Sequence, residues 1–373
     1  MLVSVHMVKV AFSSNSLRST LNFRGDIIRH FHDQNKIIHL IAPKDIADHP
    51  ILKLKNVHFT EISLSPKGLN PLTDLCYLLQ LLWIYFNLKP SLIFHFTIKP
   101  NIYGSIASYL CKIPSIAVVT GLGYTFINTG LIHQLAKWLY KISLRIPQRV
   151  WFLNQDDQNL FLSQKLVTEN KALCINGEGI NTEDFSPQEP ENDQFKVLLI
   201  ARLLKDKGIY EYIAAAEKVK KLKPHIEFQI LGPYVESQLD GVPKSEIEKF
   251  ESQGIIKYLG ETNDVRPYIA NASVIVLPSY REGIPRSLLE ASAMERPVIA
   301  TKVPGCVNVI VDNITGYLCE PKNSESLAAA LLKMIQLTPQ QRKNLGHNGR
   351  NFVIENYSIN KTIDYYDSCL AVK

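Results

Sequence analysis

The chain has 373 residues, which exceeds one ordinary hydrophobic core and predicts about two domains. Hydrophobic residues make up 46% of it and charged residues 20%, a balance that excludes disordered, collagen-like and disulfide-scaffold classes. The formal net charge is +6, but residues 1–150 carry 16 Lys and Arg against 6 Asp and Glu, so the positive excess belongs to the N-terminal part. Such a surface suits an anionic partner, such as a membrane, a polyphosphate or nucleic acid, or is a solvated face.

The N-terminal apolar stretch lacks the charged region and cleavage site of a signal peptide, and it predicts a first strand at residues 8–12. The longest apolar run, residues 75–86, is shorter than the ~20 residues that a membrane-spanning helix needs. The six cysteines are scattered without a CxxC pair or a nearby His at ligand spacing. They predict neither a zinc site nor a disulfide framework, and fit a reducing cytoplasm.

Short apolar, β-branched segments alternate with helical patterns along the chain, which predicts parallel α/β sheets. A first series of strands is followed by a second one after the polar segment 186–194, so two doubly wound domains are expected, 1–185 and 186–355. A final amphipathic helix is predicted within 351–373, and the pattern leaves open whether residues 356–373 return to the N-terminal domain. The predicted strands are residues 8–12, 37–41, 92–96, 116–119 and 149–153, then 196–200, 226–231, 255–259, 274–277 and 298–300.

Ligands of open parallel sheets bind beyond the carboxyl ends of the strands, so the loops that follow strands are the places to search. His95, with Thr97 and Lys99, lies at the end of the predicted strand 92–96, and the loop TGLGY at 120–124 follows the strand 116–119. Glycines in that loop allow close backbone approach to a ligand, although a plain structural turn explains them equally well. A lone His is more often a structural residue than a catalyst.

The third loop, ARLLKDKG at 201–208, follows the strand 196–200 and precedes a helix. Arg202 and Lys207 lie five residues apart beside a helix N-terminus, which predicts a diphosphate clamp of one guanidinium and one ammonium group. The alternative is a solvated basic loop. Neither a dinucleotide fingerprint nor a P-loop motif is present here.

The fourth loop, PSYREGIPRSLLE at 278–290, follows the strand 274–277. Glu282 lies in the loop, and Glu290 lies in the helix that Pro285 opens. A carboxylate in a largely apolar helix is costly unless it is hydrogen-bonded, and sugar or ribose hydroxyls are natural partners. The alternative is one glutamate at the helix start and a second in a salt bridge.

In combination these motifs resemble one family. The run GIPRSLLEASAMERPVIAT at 283–301, preceded by LPSYRE, and ARLLKDKG about 80 residues earlier resemble the C-terminal domain of retaining glycosyltransferases of family 4. N-terminal segments agree, among them Asn15-Ser16, Asn22-Phe23-Arg24, HFTIKPN at 95–101 and NGEGIN at 176–181. The chain is most similar to the bacterial branch that extends lipid-linked oligosaccharides for O-antigen, capsule or protein glycosylation. This implies the GT-B fold, in which two Rossmann-like α/β domains face a cleft.

The resemblance implies a role for each motif. Arg202 and Lys207 would hold the nucleotide diphosphate and stabilise it as the leaving group. Glu290 would bond the ribose and Glu282 the transferred hexose, with His95 near the sugar from the other lobe; Arg202, Lys207, Glu282 and His95 form the expected catalytic set. The remaining donor-side residues are Gly283, Ile284, Pro285 and Arg286, and the acceptor-side residues are Asn15, Asn22, Arg24, Thr120, Gly121, Gly123 and Tyr124.

The sequence contains no DxD triplet, so we expect neither a metal ion nor another cofactor, and the UDP-sugar is a substrate. The two cations would then stabilise the leaving group electrostatically. In family members the anomeric configuration is retained without an evident enzyme nucleophile, and the leaving phosphate is thought to guide the acceptor onto the same face. Glu282 is a poor candidate nucleophile because its expected place is near the far hydroxyls of the hexose.

The acceptor is expected on the basic N-terminal domain. In the stretch 131–150, Lys137, Lys141, Arg145 and Arg149 recur every four residues, with Trp138 and other apolar residues between them. This composition is typical of a helix on an anionic bilayer, and it predicts peripheral association with the cytoplasmic face of the plasma membrane, where a lipid-diphosphate oligosaccharide is met. The apolar segment 75–86 either assists or is a core helix. The stacking platform of a nucleic-acid binder is not apparent.

Two other function classes remain open. A sugar-nucleotide epimerase shares this architecture but needs neither a basic surface helix nor an acceptor-side loop. A non-catalytic sugar-nucleotide binder is the other, and the intact clamp with both glutamates counts against it. UDP-galactose, UDP-N-acetylgalactosamine and UDP-N-acetylglucosamine are all acceptable donors, and the resemblance favours the galacto sugars and an α-1,3 linkage.

Overall fold

The computed structural model describes residues 8–65, 70–121, 131–191, 194–235 and 240–371. The predicted acceptor-side residues Gly123 and Tyr124 lie outside these ranges. The chain divides into two units: the first contains Met1–Glu178 and Asn360–Lys373, and the second contains Gly179–Ile359. The C-terminal helix therefore returns to the N-terminal unit.

Strands and helices alternate through both units. The strands are β1 (Lys9–Ser13), β2 (Ile37–Ala42), β3 (Val57–Glu61), β4 (Leu92–Phe96), β5 (Ser115–Val119), β6 (Arg149–Phe152), β7 (Ala172–Cys174), β8 (Lys196–Ile200), β9 (Glu227–Leu231), β10 (Lys257–Tyr258), β11 (Val274–Leu277), β12 (Val298–Thr301) and β13 (Gly316–Cys319). The helices are α1 (Leu17–Asp33), α2 (Pro71–Leu88), α3 (Ser105–Leu110), α4 (Leu131–Ser143), α5 (Gln155–Ser163), α6 (Ile209–Leu222), α7 (Lys244–Ser252), α8 (Arg266–Ala270), α9 (Arg286–Ala293), α10 (Cys306–Val309), α11 (Ser324–Gln336), α12 (Pro339–Tyr357) and α13 (Ile359–Ala371).

The first unit is built on a parallel sheet in the order β3-β2-β1-β4-β5-β6-β7. Its central strands β4 and β5 are buried at every residue, as expected for parallel strands covered by helices on both faces. The order reverses between β1 and β4, so the loops that follow these two strands flank a topological switch point, where α/β sheets bind ligands.

Helix α13 is held in the first unit by its aromatic side. The ring of Tyr366 is fully buried, with its centroid 4.7 Å from that of Phe94 and 5.0 Å from that of Trp151. On the same helix, Asp367 Oδ2 lies 2.8 Å from His30 Nε2. These contacts with β4, β6 and α1 explain why the chain end belongs to this unit.

The second unit has a parallel sheet in the order β10-β9-β8-β11-β12-β13. Its order reverses between β8 and β11, so the loops that follow these two strands flank the switch point of this unit. Both loops are ones that the sequence singles out. The prediction of two doubly wound α/β domains is confirmed.

The ten predicted strands all occur, and the structure adds three more. Strand β3 is half-exposed, β7 has three residues, and β13 begins at a glycine, Gly316. None of the three gives the apolar β-branched run by which the others are recognised.

Candidate functional site

At the switch point of the second unit, the loop that follows β8 is attached to the loop that follows β11. The Tyr280 amide donates a hydrogen bond to the Asp206 carbonyl at 2.8 Å. Gly208 ends the short 3-10 turn Lys205–Lys207 with a left-handed φ of 72°, and a Cβ there would come 2.1 Å from the Pro278 carbonyl oxygen. Only glycine fits this backbone, so the approach of the two loops depends on it.

The loops bring together two of the predicted residues. Lys207 Nζ lies 2.6 Å from Glu282 Oε1, and the two side chains are 16% and 14% exposed. Ser279 Oγ donates a second hydrogen bond, of 2.7 Å, to the same oxygen. The predicted clamp lysine and the predicted sugar-side glutamate therefore form one pre-positioned, mostly buried pair.

Arg202, the other clamp residue, stands exposed at the start of the same loop. No hydrogen bond or ion pair of its side chain occurs within the described part of the chain. Its guanidinium is thus exposed to an incoming anion, and its part in a diphosphate clamp stays a prediction.

Glu290 lies one turn into α9, which begins at Arg286 directly after the buried Pro285. The Glu290 carboxyl is buried and accepts a hydrogen bond of 2.8 Å from Arg286 Nε. Burial raises the pKa of Glu290, and the Arg286 guanidinium opposes part of that shift. Gly283 and Ile284, in the turn before the helix, are half-buried.

Sequence reasoning missed the side chains that hold this site in place. Tyr280 Oη donates to Glu211 Oε1 at 2.6 Å, and Lys322 Nζ lies 4.9 Å from the centre of the Tyr280 ring. Ser279, which is fully buried, orients Glu282. Their place in the loop that follows a buried strand was a signal that could have identified Ser279 and Tyr280.

At the switch point of the first unit, His95 is the penultimate residue of β4 and has no accessible surface. Its Nε2 lies 3.0 Å from Tyr85 Oη, its Nδ1 has no hydrogen-bond partner among the described residues, and a Cβ on Gly104 would come 2.5 Å from its Cδ2. Burial lowers the pKa of His95 to about 3, so the ring is neutral. The imidazole is therefore enclosed within the first unit, and its contact with a sugar stays a prediction.

The turn that follows β4 is strained and anchored. Thr97 has a φ of 71°, which is rare for a β-branched residue. Lys99, nearly buried, forms an ion pair with Asp74 of α2, and the other oxygen of Asp74 accepts a 2.9 Å hydrogen bond from Tyr103 Oη. Asp74 was not predicted, although it is the single charged residue of an otherwise uncharged helix.

The predicted acceptor-side residues have different environments. Arg24 is buried in an ion pair with Glu178, and its guanidinium carbon lies 4.1 Å from the centre of the Phe96 ring. Asn15 is half-buried and Asn22 is exposed. Thr120 and Gly121, which follow β5, are half-buried. Arg24 is thus placed inside the unit, and Glu178 is a partner that the sequence did not indicate.

The predicted basic helix is shorter than expected. Helix α4 ends at Ser143, and Arg149 is the first residue of β6, where its Nη1 donates 2.6 Å to the Asn170 carbonyl. The prediction that 131–150 forms one helix face is therefore wrong, because the chain turns through Pro147 before pairing with β5. Lys141 and Arg145 are exposed, Lys137 is half-buried, and Trp138 is 58% exposed.

No group of three or more His, Cys, Asp or Glu side chains that could hold a metal ion occurs within the described ranges. In those same ranges, no helix is long and apolar enough to cross a bilayer.

The second unit is similar to a known family of enzymes. Residues 181–352 match the family model of glycosyl transferases group 1. The N,N'-diacetylbacillosaminyl-diphospho-undecaprenol alpha-1,3-N-acetylgalactosaminyltransferase of Campylobacter jejuni is 28% identical, covering 96% of this chain and 98% of its own length. The UDP-Gal:alpha-D-GlcNAc-diphosphoundecaprenol alpha-1,3-galactosyltransferase of Escherichia coli is 24% identical over 71% of both chains. Anabaena HepE, solved with UDP and glucose, has a TM-score of 0.81 at 17% identity, covering 99% of this chain and 100% of that one.

Proposed function

We propose that this chain extends a lipid-linked sugar. The proposal starts from a glycosyltransferase of the GT-B fold, with a glycosyl transferases group 1 domain at residues 181–352. In this proposal it transfers a hexose or N-acetylhexosamine from a UDP-sugar to a sugar carried on a lipid diphosphate. The anomeric configuration is retained, and the product enters a cell-surface polysaccharide or glycan.

One observation carries the proposal: the loops at the switch point of the second unit bring a cation and a carboxylate together, and one of these loops exposes a second cation. Lys207 is held 2.6 Å from Glu282, and Arg202 is exposed on the same loop. A UDP-sugar has a diphosphate for the cations and sugar hydroxyls for the carboxylate. Glu290, buried in the next helix, would accept a hydrogen bond from the ribose.

The chemistry assigned to these residues is leaving-group stabilisation. The bond between the anomeric carbon and the diphosphate oxygen breaks, and Arg202 and Lys207 take up the charge that develops on UDP. The acceptor hydroxyl forms the new bond to the same face of the anomeric carbon, and its proton passes to the departing phosphate oxygen. Two cations in the donor site would make a divalent metal ion unnecessary, so we propose a reaction without metal or other cofactor.

The relatives support the choice of acceptor. The names of those from Campylobacter jejuni and Escherichia coli specify diphospho-undecaprenol acceptors, alpha-1,3 linkages and, between them, N-acetylgalactosamine and galactose as transferred sugars. A third relative, CapM of Staphylococcus aureus, is a capsular polysaccharide glycosyltransferase, 24% identical over 95% of this chain and 92% of its own. We therefore favour a galacto-configured donor and an α-1,3 linkage.

A lipid-linked acceptor requires the enzyme to work at a bilayer. We propose peripheral association with the cytoplasmic face of the plasma membrane, to which the exposed Lys141, Arg145 and Trp138 contribute from the first unit. Cations near the surface of an anionic bilayer are attracted to it, and tryptophan is suited to the interface.

Product analysis tests the donor and the linkage. The purified chain is incubated with UDP-galactose, UDP-N-acetylgalactosamine or UDP-N-acetylglucosamine and a synthetic lipid-diphosphate sugar, and the products are examined by mass spectrometry and NMR. We expect one galacto sugar added with an α-1,3 bond. A β linkage would contradict retention, since the donors are α-configured.

A further inference from the structure

Helix α2 presents an apolar face to the outside of the first unit. Its residues recur at spacings of three and four, which places them within an arc of about 80° at 3.6 residues per turn. Each is at least half-exposed, although large apolar residues of surface helices normally face the core. The face, called here the α2 outer face, consists of Leu72 (72% exposed), Leu75 (52%), Leu79 (55%), Trp83 (70%) and Phe86 (67%).

The opposite face of α2 packs into the core of the unit, so the helix lies flat against the protein. Tyr77, Leu81 and Tyr85 are almost completely buried there. The only charged residue of the helix, Asp74, is satisfied by Lys99 and Tyr103. The α2 outer face therefore carries no charge of its own.

Neighbouring elements extend this apolar surface. Helix α3 packs against α2 and exposes Tyr109 (68%) and Leu110 (59%). Helix α4 contacts the same π-helical turn, Pro100–Gly104, as α2 does. It exposes Leu135, Trp138 and Ile142. Since right-handed crossovers place the helices between β3 and β6 on one face of the sheet, these side chains point to the same side of the unit.

The surroundings of the surface are basic. Lys89, directly after α2, is exposed, and its Nζ lies 5.6 Å from the centre of the Phe86 ring. Lys112, after α3, and Lys141 and Arg145, at the end of α4, are exposed as well. Apolar and aromatic side chains on these helices, with lysine and arginine at the helix C-terminal ends, match the layered chemistry of a bilayer surface, in which hydrocarbon lies beneath anionic headgroups.

We propose that the α2 outer face inserts into the hydrocarbon edge of a lipid bilayer and holds the first unit on the membrane. This inference deepens the proposed function, on which it rests for the choice of a bilayer as the occupant. Membrane binding then has two contributions. The basic residues attract the protein to anionic headgroups, and α2 provides an apolar anchorage that salt does not screen.

Vesicle binding by substituted chains tests the proposal. In one variant Leu75, Leu79, Trp83 and Phe86 are replaced by Gln; in a matched control the exposed Leu222, Ile314 and Ile354 of the second unit are replaced by Gln. We expect the first variant to partition onto vesicles at least ~100-fold more weakly than the parent, since several buried apolar side chains are lost. The control should bind like the parent, and parent binding to uncharged phosphatidylcholine vesicles should persist at high salt.

Tryptophan fluorescence reports insertion directly. The Trp138→Phe chain retains Trp83, 70% exposed on the α2 outer face, and Trp151, which is fully buried in the core. Vesicles made with lipids brominated on the acyl chain should quench Trp83 and shift its emission to shorter wavelength. Further replacement of Trp83 by Phe should abolish both effects, because Trp151 lies away from the surface.

Three outcomes would overturn the proposal. The α2 variant could bind vesicles as the parent does. Brominated lipid could leave Trp83 unquenched. The parent could fail to bind vesicles and instead form a dimer that the α2 substitutions dissociate. The α2 outer face would then be an interface between two copies. None of these readouts uses turnover, so vesicle binding through α2 by a chain that transfers no sugar would refute the proposed function and leave this inference standing.

Discussion

Lys207 and Glu282 lie 75 residues apart in the sequence, and their side chains meet at 2.6 Å. Each follows one of the two strands that flank the switch point of the second unit. Ser279 and the Tyr280–Asp206 hydrogen bond keep the two loops in this register. These contacts fix the Lys207 ammonium group relative to the Glu282 carboxylate.

Removal of either clamp cation should abolish most activity. We expect Lys207→Ala and Arg202→Ala to lower kcat by at least ~100-fold with the fold intact, because each removes a positive charge that would stabilise the departing diphosphate. Lys205→Ala is the matched control, since Lys205 is exposed two residues before Lys207. Steady-state kinetics and circular dichroism give the readouts. Parent-like turnover in both clamp variants would reject the assignment.

Chelators should leave the reaction intact. If Arg202 and Lys207 provide the electrostatic stabilisation alone, turnover with EDTA should equal turnover without it. The measurement is the initial rate of UDP release after dialysis against the chelator. Loss of activity with EDTA and its recovery with magnesium or manganese would contradict a metal-independent donor site.

Glu290→Gln should separate a binding role from a structural one. Burial raises the pKa of Glu290 above the ordinary value of 4.5, so its contribution to the free energy of unfolding is complete below pH 4.5 and is lost as the pH rises through the raised pKa. Glutamine is neutral throughout, so we expect unchanged or higher stability at pH 7. UDP affinity should fall about 10-fold, because a charge-assisted hydrogen bond to the ribose is lost.

Thermal unfolding and calorimetric UDP titration measure these two effects. Glu295→Gln is a control within the same segment, since Glu295 is only partly buried and pairs with the exposed His347. A Glu290→Gln chain of reduced stability and unchanged UDP affinity would show that the carboxylate serves only its ion pair with Arg286.

His95 should make the first unit sensitive to acid. Its pKa of about 3 means that the folded state keeps the ring neutral, so its stabilisation is complete above the ordinary 6.5 and is lost as the pH falls towards 3. In this window the parent should lose about 1.4 kcal/mol of stability per pH unit through this group. His95→Gln should remove that slope, and the exposed His347→Gln should not. Urea unfolding between pH 7 and 4 measures it, and parallel curves for His95→Gln and parent would contradict the burial effect.

The basic residues near α4 should contribute a salt-dependent part of membrane binding. Replacing Lys137, Lys141 and Arg145 by Gln should weaken binding to anionic vesicles by up to ~3 kcal/mol at low ionic strength, since each charge adds on the order of 1 kcal/mol. At high salt the difference should shrink because the field is screened. Cosedimentation measures both, with UDP affinity as the control. Equal sedimentation at low salt would mean that these residues are only solvated.

The elements that could be predicted from the sequence are those with local signals. Strands β8 and β11 contain apolar runs, and the segments that follow them hold Arg202, Lys207, Glu282 and Glu290. What it missed depends on pairing across the chain: Arg24 meets Glu178 from 154 residues away, and Lys99 meets Asp74 from 25. Each partner is unremarkable in its own segment, so no periodicity or composition indicates it.

In the basic stretch 131–150 the sequence predicted more helix than the structure contains. Its four-residue spacing is helical, but Ser143 ends the helix and tight turns at Leu144, Arg145 and Ile146 lead into β6. Spacing carries no information about where a helix stops, so Arg149 was assigned to the helix although it begins β6. The run 75–86 was ambiguous for a related reason: it has apolar residues on both sides, and only the packed unit reveals which side remains exposed.

Acceptor-dependent release of UDP tests the central claim most directly. The chain is incubated with a galacto-configured UDP-sugar, with and without a lipid-diphosphate sugar in vesicles, and both UDP and the lipid product are quantified. We predict that UDP appears in step with a lipid product heavier by one sugar, and that little UDP forms without the acceptor. An epimerised UDP-sugar formed equally with and without acceptor, or binding of the UDP-sugar without any turnover, would contradict the claim.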